Sequence, residues 1–189
     1  MTYSSVLVFT LVNPLSNCKE LQTEVRKPID RAYQEAEIIK FAGDGLIPTR
    51  EEIERIEQTI TSWDDAKGRD DYTIFHSFAD GMYTREMHVE KGEMIVGEIH
   101  RNDHIVNLLK GSLVVIDEFG NRRLDAPASF ISKAGVKRVG FILEDTVWQD
   151  IHRTDKTNIE EAEKEIFVSS YDEIEIEGEL CRALLQAQH

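Results

Sequence analysis

Two histidines, His100 and His104, flank a short polar segment and are the residues in this chain best suited to chemistry. The intervening Arg101-Asn102-Asp103 is typical of a turn, so His100 is predicted to end one strand and His104 to begin the next. Both imidazoles would then lie at the same end of a hairpin. Imidazole is a ligand of zinc, iron, nickel and copper, so the pair indicates a metal site. A helical His-x-x-x-His pair is the competing geometry, but Asn-Asp in a strand-rich region and Arg101 in place of the expected glutamate disfavour it.

A third histidine, His152, ends a later run of strand-type residues. If residues 138–152 form a hairpin that turns at Glu144-Asp145, the register places His152 opposite Arg138. Both side chains would then share one face of the hairpin. His152 is therefore predicted to be the third metal ligand, supplied by a neighbouring strand.

The strand face that carries His152 also has the composition of a ligand pocket. Trp148 and Asp150 have the same strand parity as His152, and Tyr83 lies on the strand that opens the β-rich region. A few placed polar groups within apolar walls fix the orientation of a bound molecule. Trp148, Asp150 and Tyr83 are therefore predicted to bind a substrate, with packing in the core as the alternative for the two aromatic residues.

Two charged residues, Arg138 and Glu98, are the predicted catalytic residues, and Arg138 is also predicted to bind the substrate. Arg138 on an inner face needs an anion, which is either Asp150 or Glu98, or a carboxylate or phosphate of the substrate. Glu98 has the strand parity of His100, so it can be a fourth ligand, a general base or an acceptor that holds an imidazole tautomer.

Four further residues with reactive side chains are assigned no chemistry. His76 and His88 have no clustered ligand beside them and are expected to have structural or surface roles. Cys18 and Cys181 are far apart in a chain without an export signal, so they are expected to be free thiols.

The elements that must position these residues change type near residue 70. Residues 1–70 are predicted to form an N-terminal strand, Val6–Val12, and a helical extension. Residues 71–155 show several short strand patterns, which indicate antiparallel hairpins in a sandwich or barrel. Residues 156–189 are predicted to be a C-terminal helical segment. The predicted turns of the β-rich region lie at residues 90–92, 101–103, 110–111, 118–121, 133–135 and 144–145.

Three helices have recognisable signals within this division. Thr49 and Glu52 form a capping box before an apolar face of Ile53, Ile56, Ile60 and Trp63. Asn158 or Thr157 can cap a helix over Ile159–Ile166. Leu180–Leu185 has the pattern of a last helical turn or two.

The segment that ends at Gly111 resembles the first motif of the cupin superfamily, which places two histidines, a glutamate and a glycine at fixed spacings. His104 stands at the glutamate position, His100 at the second histidine and Glu98 at the first. Lys133-Ala134-Gly135 corresponds to the turn of the second motif, and Arg138 stands where the family has a histidine.

The resemblance implies a mainly β fold, a cupin-like antiparallel β-barrel of the jelly-roll or double-stranded β-helix type, with N-terminal and C-terminal helices. It also implies a histidine-lined metal site inside the barrel. Residues 81–163 are similar, in addition, to uncharacterised cupin-like proteins that bacteriophages often encode.

Charge and hydropathy narrow the expected partners. The chain has 36 acidic and 22 basic residues, a formal net charge of −14, and no run of lysine or arginine, so nucleic acid is not an expected partner. The apolar run Val6–Val12 is far shorter than the ~20 residues that span a bilayer, and no basic segment precedes it. A cytoplasmic protein without a membrane partner is expected, in the host cytoplasm if a phage encodes it.

Three functions fit these observations. The first is a metal-dependent enzyme of the oxygenase, isomerase or lyase type, which holds Fe, Ni, Mn or Zn and acts on a small anionic molecule. The second is a non-catalytic module that binds a small ligand in the same pocket. The third is an oligomeric adaptor, most simply a homodimer, in which the N-terminal elements complete the sheet of a second copy.

Overall fold

The computed structural model describes Arg31, residues 34–40 and residues 46–174. Contacts divide the chain into residues 1–36 and residues 37–189. In the first unit, Arg31 Nε donates to Glu35 Oε1 at 2.7 Å. The predicted strand Val6–Val12, the two cysteines and the predicted turn at Leu180–Leu185 lie outside the described residues.

The helix α1 (Arg50–Thr61) begins at the predicted capping box. Thr49 Oγ1 accepts a hydrogen bond from Glu52 N at 3.2 Å, and Thr49 N donates to Glu52 Oε2 at 2.8 Å. Ile53 and Ile56 are buried against Ile116 and Val139, and this packing confirms the predicted apolar face of the helix. Within the described part of the chain, no helix is long and apolar enough to cross a membrane.

Nine strands and a second helix follow within residues 46–174. A 3-10 turn, Arg69–Asp71, leads into the first strand. The strands are β1 (Thr73–Ala79), β2 (Met82–Val89), β3 (Met94–Val96), β4 (Ile99–His100), β5 (His104–Asp117), β6 (Gly120–Asp125), β7 (Ala128–Ser132), β8 (Val139–Arg153) and β9 (Phe167–Val168). The helix α2 (Ile159–Ile166) lies between β8 and β9, and Asn158 Oδ1 caps it by accepting from Glu161 N at 2.9 Å, as predicted.

These strands form two antiparallel sheets, so the predicted mainly β class is confirmed. In the larger sheet β1, β2, β8, β5 and β6 are successive neighbours, while β3 also pairs with β8 and β7 with β5. The smaller sheet contains β4 and β9. The division of the chain at residues 70 and 155 stays a prediction.

Two predicted turns are wrong because β5 and β8 are long, continuous strands. Lys110-Gly111 lies inside β5, and Glu144-Asp145 lies inside β8. The two segments face each other across an irregular stretch, where the β5–β8 register shifts between Leu108 and Leu113. Polar residues and glycine are favoured at such a bulge for the same reasons as at a turn, because backbone is exposed and an unusual φ is needed.

The two hairpins that were predicted around the histidines are wrong, the first because β8 is continuous and the second because β4 pairs with β9. Residues 138–152 do not form a hairpin, so His152 does not lie opposite Arg138; its Cα partner is Tyr83 on β2. His100 does end a strand and His104 does begin the next. The strand β4, however, pairs with β9, so that His100 is the Cα partner of Phe167.

The larger sheet curls strongly along β5. A straight strand of this length would span about 40 Å, at ~3.3 Å per residue. Arg138 nevertheless lies near both ends of it. Its Nε lies 3.3 Å from Asp117 Oδ2 at the end of β5, and its terminal nitrogen donates at 2.7 Å to Ser132 Oγ on β7, which is beside the start of β5. Ser132 is the Cα partner of His104, so the two ends of β5 come together around Arg138.

The bulge also changes which residues of β5 face inward. Before it, His104, Val106 and Leu108 are buried, and after it Leu113 and Val115 are buried in the same core as Leu108. The inner face therefore passes from even to odd positions within one strand. His104 and Val115 can then line one cavity although one has an even and the other an odd position in the strand.

Gly111→Ala is expected to lower the free energy of unfolding by more than about 3 kcal/mol. Gly111 has φ +87°, and a Cβ atom there would lie 2.4 Å from Asp145 O and 2.8 Å from Thr146 Cα. Gly92→Ala is the matched control, because Gly92 has φ +88° with nothing within 4 Å of the added carbon. Gly92→Ala should lower the free energy of unfolding only by the ~1–2 kcal/mol that a side chain costs in a left-handed backbone conformation. Equal losses in urea unfolding would contradict this role of Gly111.

Candidate metal centre

Three buried imidazoles meet where β5 begins. His100 is on β4, His104 on β5 and His152 on β8. The ring centroids lie 4.0 Å apart for His100 and His104, 4.5 Å for His104 and His152, and 5.0 Å for His100 and His152. Each ring offers a nitrogen, and these nitrogens lie within 4.8 Å of one another. The predicted convergence of the three histidines is confirmed.

Backbone contacts hold the short strand that carries His100. Arg101 N donates to Ile166 O at 2.7 Å, and Gly135 N donates to His100 O at 2.9 Å. The second of these bonds comes from the predicted turn at residues 133–135. Asp103 fixes that turn by accepting from Ala134 N at 2.9 Å and from Lys133 Nζ at 2.6 Å. The predicted turn residues therefore position one imidazole of the cluster.

Burial keeps these imidazoles neutral near pH 7. It lowers the pKa of His104 to about 4 and that of His152 to about 3, and it lowers the pKa of His100 well below the usual value. The other imidazoles and the charges of Arg138 and Arg85 lower the pKa of His100 further. A neutral imidazole has the free lone pair that metal binding requires.

The hydrogen bonds of the cluster leave ring nitrogens without partners. His100 Nδ1 and His152 Nε2 are buried and have no hydrogen-bond partner. His104 Nδ1 lies 3.2 Å from Asn102 O, which can only accept, so we assign the proton to Nδ1 and the lone pair to Nε2. That lone pair lies 3.7 Å from Asp150 Oδ1, another acceptor. A cation satisfies such a set of facing acceptors, so these residues fit a metal ion.

Asp150 places a carboxylate oxygen 3.7 Å from the free nitrogen of His104. It is buried, and burial raises its pKa to about 6, although the Trp148 hydrogen bond and the charges of Arg85 and Arg138 act in the opposite direction. Trp148 Nε1 donates to Asp150 Oδ1 at 2.9 Å. Trp148 therefore orients the carboxylate from two positions along the same strand.

A cavity of about 70 Å³ lies beside the cluster. This volume exceeds the ~10–15 Å³ that one water molecule needs, so a small ligand fits. Its polar lining residues are Arg85, Glu98, His100, His104, Arg138 and Asp150, and its larger apolar ones are Met87, Ile95, Leu113, Val115, Val136 and Trp148. Four residues predicted to be catalytic or substrate-binding, Glu98, Arg138, Trp148 and Asp150, thus line one cavity; their roles stay predictions.

Arg138 is mostly buried, and its ion pair differs from the predicted one. Its partner is Asp117, with Nε 3.3 Å from Oδ2, rather than Asp150 or Glu98. The reason is the antiparallel pairing of β5 with β8, in which Ile116 is the Cα partner of Val139, so the last residue of β5 lies beside Arg138. Glu98 is exposed at the edge of the cavity.

Tyr83 lies outside the cavity lining, so its position does not support the predicted contact with a substrate. It is fully buried against α2, where its hydroxyl donates to Glu163 Oε1 at 3.0 Å. His76 Nδ1 lies 2.7 Å from the same hydroxyl. Tyr83 thus links β2 to α2. It is the Cα partner of His152, and this pair lies two positions along the strands from the cavity-lining pair Arg85 and Asp150.

Sequence reasoning missed Arg85, which lines the cavity. Arg85 is the Cα partner of Asp150, as Met87 is of Trp148. These pairs place odd residues of β2 beside even residues of β8 on one inner face. The alternation from Tyr83 along β2 was a signal that could have identified Arg85, because side chains two residues apart share a face.

Comparisons with known proteins do not establish a family. No protein-family model matches the chain, and none of the curated proteins matches it. Similar solved structures include a cupin-2 domain-containing protein from Shewanella frigidimarina, 13% identical, with 52% of this chain and 91% of that chain covered at a TM-score of 0.37.

Two further similar structures match less than half of this chain. KdgF from Halomonas sp. is 20% identical over 42% of this chain and 75% of its own, with a TM-score of 0.36. A cupin superfamily protein from Desulfitobacterium hafniense is 13% identical over 47% of this chain and 83% of its own, with a TM-score of 0.39. Similarities at this level do not assign a family or a function, so the fold assignment rests on the strand order and register.

The stability of the metal-free protein is expected to fall as the pH is lowered from 7 to 5. The unfolded chain takes up protons at the imidazoles near pH 6.5, whereas the folded protein takes them up only near the lowered pKa values. Each such imidazole lowers the free energy of unfolding by about 1.4 kcal/mol per pH unit. Asp150 acts in the opposite direction, because its raised pKa lets the folded protein take up a proton that the unfolded chain does not, so it offsets one of the three imidazoles. Urea unfolding of chelator-treated protein measures the slope.

Replacement of a buried imidazole should reduce this slope, whereas replacement of an exposed one should not. His152→Gln removes one titrating group of the cluster, and His88→Gln changes an exposed histidine that contacts Glu86. A stability that is constant between pH 7 and 5 in the unmodified protein would contradict the neutral state of the cluster.

Proposed function

We propose that this chain binds a divalent transition metal through His100, His104 and His152 and acts as a metal-dependent enzyme on a small anionic molecule. The observation that carries the proposal is the meeting of three buried, neutral imidazoles, of which His100 Nδ1 and His152 Nε2 have no hydrogen-bond partner and His104 Nε2 faces the acceptor Asp150 Oδ1. Uncompensated buried nitrogens are costly, so a site that gathers them is best explained by a cation.

The donor set favours a transition metal over calcium or magnesium. Three imidazoles and one carboxylate suit Fe, Ni, Mn or Zn, whereas calcium and magnesium prefer oxygen ligands. When bound, such an ion would polarise a carbonyl or similar oxygen of the substrate as a Lewis acid.

The residues around the cavity would hold the substrate beside that ion. Arg138 would bind an anionic group, because its guanidinium lines the cavity and shares its partner Asp117 with Arg122. Trp148 forms part of the wall and holds Asp150. Glu98, exposed at the edge, is the residue best placed to pass a proton between the cavity and water.

A non-catalytic module for a small ligand is the second candidate function. The observation that favours it is the position of Glu98, which is exposed rather than desolvated within the cavity. A general base is usually tuned by burial, whereas a binding site needs only complementary charge. Turnover of a bound molecule separates this candidate from the enzyme.

The cupin superfamily, and within it the cupin-like proteins of bacteriophages, are the proposed relatives. A cytoplasmic location, in the host if a phage encodes the chain, belongs to the same proposal. The homodimer also stays a proposal, because the N-terminal strand that motivates it lies outside the described residues.

Protein purified without chelator and without a polyhistidine tag is expected to hold about one equivalent of metal per chain. Elemental analysis by mass spectrometry measures the content and identifies the element. His152→Ala should lower the metal content at least tenfold, because it removes one of three nitrogen ligands. His88→Ala, which alters an exposed histidine, is the matched control and should retain the metal.

Reconstitution with salts of iron, nickel, manganese and zinc completes the metal experiment. Failure of the unmodified protein to retain any of the four would refute the proposed metal centre. Equal retention by the His152→Ala protein would instead show that the metal binds elsewhere.

Light scattering is expected to give about twice the mass of one chain if the N-terminal elements complete the sheet of a second copy. Removal of residues 1–30 should then shift the mass toward that of a monomer. A monomer at every concentration tested would refute the dimer while leaving the metal centre unaffected.

A further inference from the structure

We infer that the cavity binds a compact dianion, which carries two carboxylates or a phosphate monoester, and that Arg85 and Arg138 are the residues that select it. The inference rests on the proposed function, whose anionic ligand it specifies. Near the cavity, two carboxylates are each in contact with two arginines.

The first cluster surrounds Glu163. This buried carboxylate forms an ion pair with Arg69, accepts a hydrogen bond from Tyr83 and lies 3.9 Å from Arg85 Nε. One negative charge therefore serves two guanidinium groups. Arg85 is the more distant of the two, and it is the one that lines the cavity.

The second cluster surrounds Asp117 in the same way. Asp117 Oδ2 lies 3.1 Å from Arg122 and 3.3 Å from Arg138 Nε. Arg138 lines the cavity, and Ser132 Oγ accepts its only strong hydrogen bond among the contacts described, at 2.7 Å. Each cluster thus has two cations and one anion, and each presents one arginine to the cavity.

Neither of these arginines has a carboxylate to itself. Their side chains are only 11% and 15% exposed for Arg85 and Arg138. Arg85 Nε has no hydrogen-bond partner, and Arg138 Nε has only the ion-pair contact with Asp117, which Arg122 shares. Burial of a charge is costly unless it is paired and hydrogen-bonded. Two incompletely paired guanidiniums beside one cavity therefore indicate a ligand that supplies the missing acceptors.

The other acidic residues of the lining do not supply two negative charges. Glu98 is exposed, and Asp150 is a single carboxylate that faces the free nitrogen of His104 at 3.7 Å. If Asp150 joins the imidazoles around a cation, both guanidiniums lack an anion within the cavity. A ligand with two negative charges balances them, whereas a monoanion leaves one uncompensated.

The shape of the site restricts the dianion further. The cavity of about 70 Å³ admits a molecule of a few heavy atoms. Arg85 lies over the ring of Phe167 at 5.6 Å, and Arg138 lies over Phe130 at 5.9 Å. Aromatic faces hold guanidinium planes in place, so both forks are preorganised for carboxylate or phosphate oxygens.

Binding of malonate, inorganic phosphate and acetate, measured by isothermal titration calorimetry at pH 7.5, tests the inference. Malonate represents two carboxylates, phosphate represents the monoester, and acetate is the monoanionic control. At least one dianion is expected to bind at least tenfold more tightly than acetate, and the better dianion identifies the ligand class. Acetate binding as tight as both dianions would overturn the inference without any variant.

Substitutions assign the binding to the two arginines. Arg85→Gln and Arg138→Gln should each weaken binding of the preferred dianion at least tenfold. Arg85→Lys keeps the charge and should bind with an affinity between those of the unmodified protein and Arg85→Gln; it is the second variant if Arg85→Gln does not fold. Arg123→Gln is the matched control, because Arg123 is 60% exposed and pairs with Asp125 on the surface. Unchanged affinity in both the Arg85 variants and Arg138→Gln would overturn the inference.

Each titration is carried out on metal-loaded and on chelator-treated protein, with the metal content measured separately. An arginine-dependent preference for a dianion in protein that retains none of the four metals after reconstitution would support the inference while refuting the metal centre. Normal metal content with no preference for dianions would refute the inference alone. The two failures are therefore distinguishable.

Discussion

The histidine cluster and its cavity depend on the close approach of β5 and β8 at Gly111. At this point the backbone of Asp145 and Thr146 occupies the space that a side chain would need. The irregular pairing there curls the sheet, which returns Asp117 to the neighbourhood of Ser132 and His104. It also reverses the inward-facing positions of β5, so that residues before and after the bulge line one cavity. One backbone contact thus gives the cavity both its curvature and its lining.

The charged side chains that line this cavity differ in balance from the strongly negative chain as a whole. The chain carries a net charge of −14, yet two guanidiniums and two neutral imidazoles line the cavity beside the carboxylates of Glu98 and Asp150. A negative surface repels anions at long range, so the anion recognition that we propose has to come from desolvated groups at short range. Asp117 and Glu163 each contact one cavity arginine and one arginine outside the cavity. Each cavity arginine therefore shares its carboxylate with a second arginine.

Local patterns in the sequence predicted the capped helices, the three metal-site histidines and the mainly β fold. The capping residues Thr49 and Asn158 act within their own helices, so neighbouring residues suffice to identify them. Lys110-Gly111 was mistaken for a turn because a bulge and a turn favour the same residues. Pairing of β4 with β9 joins residues far apart in the chain, and no local pattern encodes it. Arg85 and the Asp117 partner of Arg138 follow from register and curl, which only the assembled sheet defines.

The strand that carries His100 is only two residues long and belongs to a different sheet from His104 and His152. Its partner β9 follows α2, and a small cluster of Ile99, Val168 and Tyr171 packs around the pair. Segments with few hydrogen bonds and a small buried area open more readily than a large sheet does. Fraying of this pair would withdraw one imidazole while the other two stay in place. Exchange of a bound ion with solution would then proceed through local opening of the α2–β9 segment, at a rate independent of global unfolding.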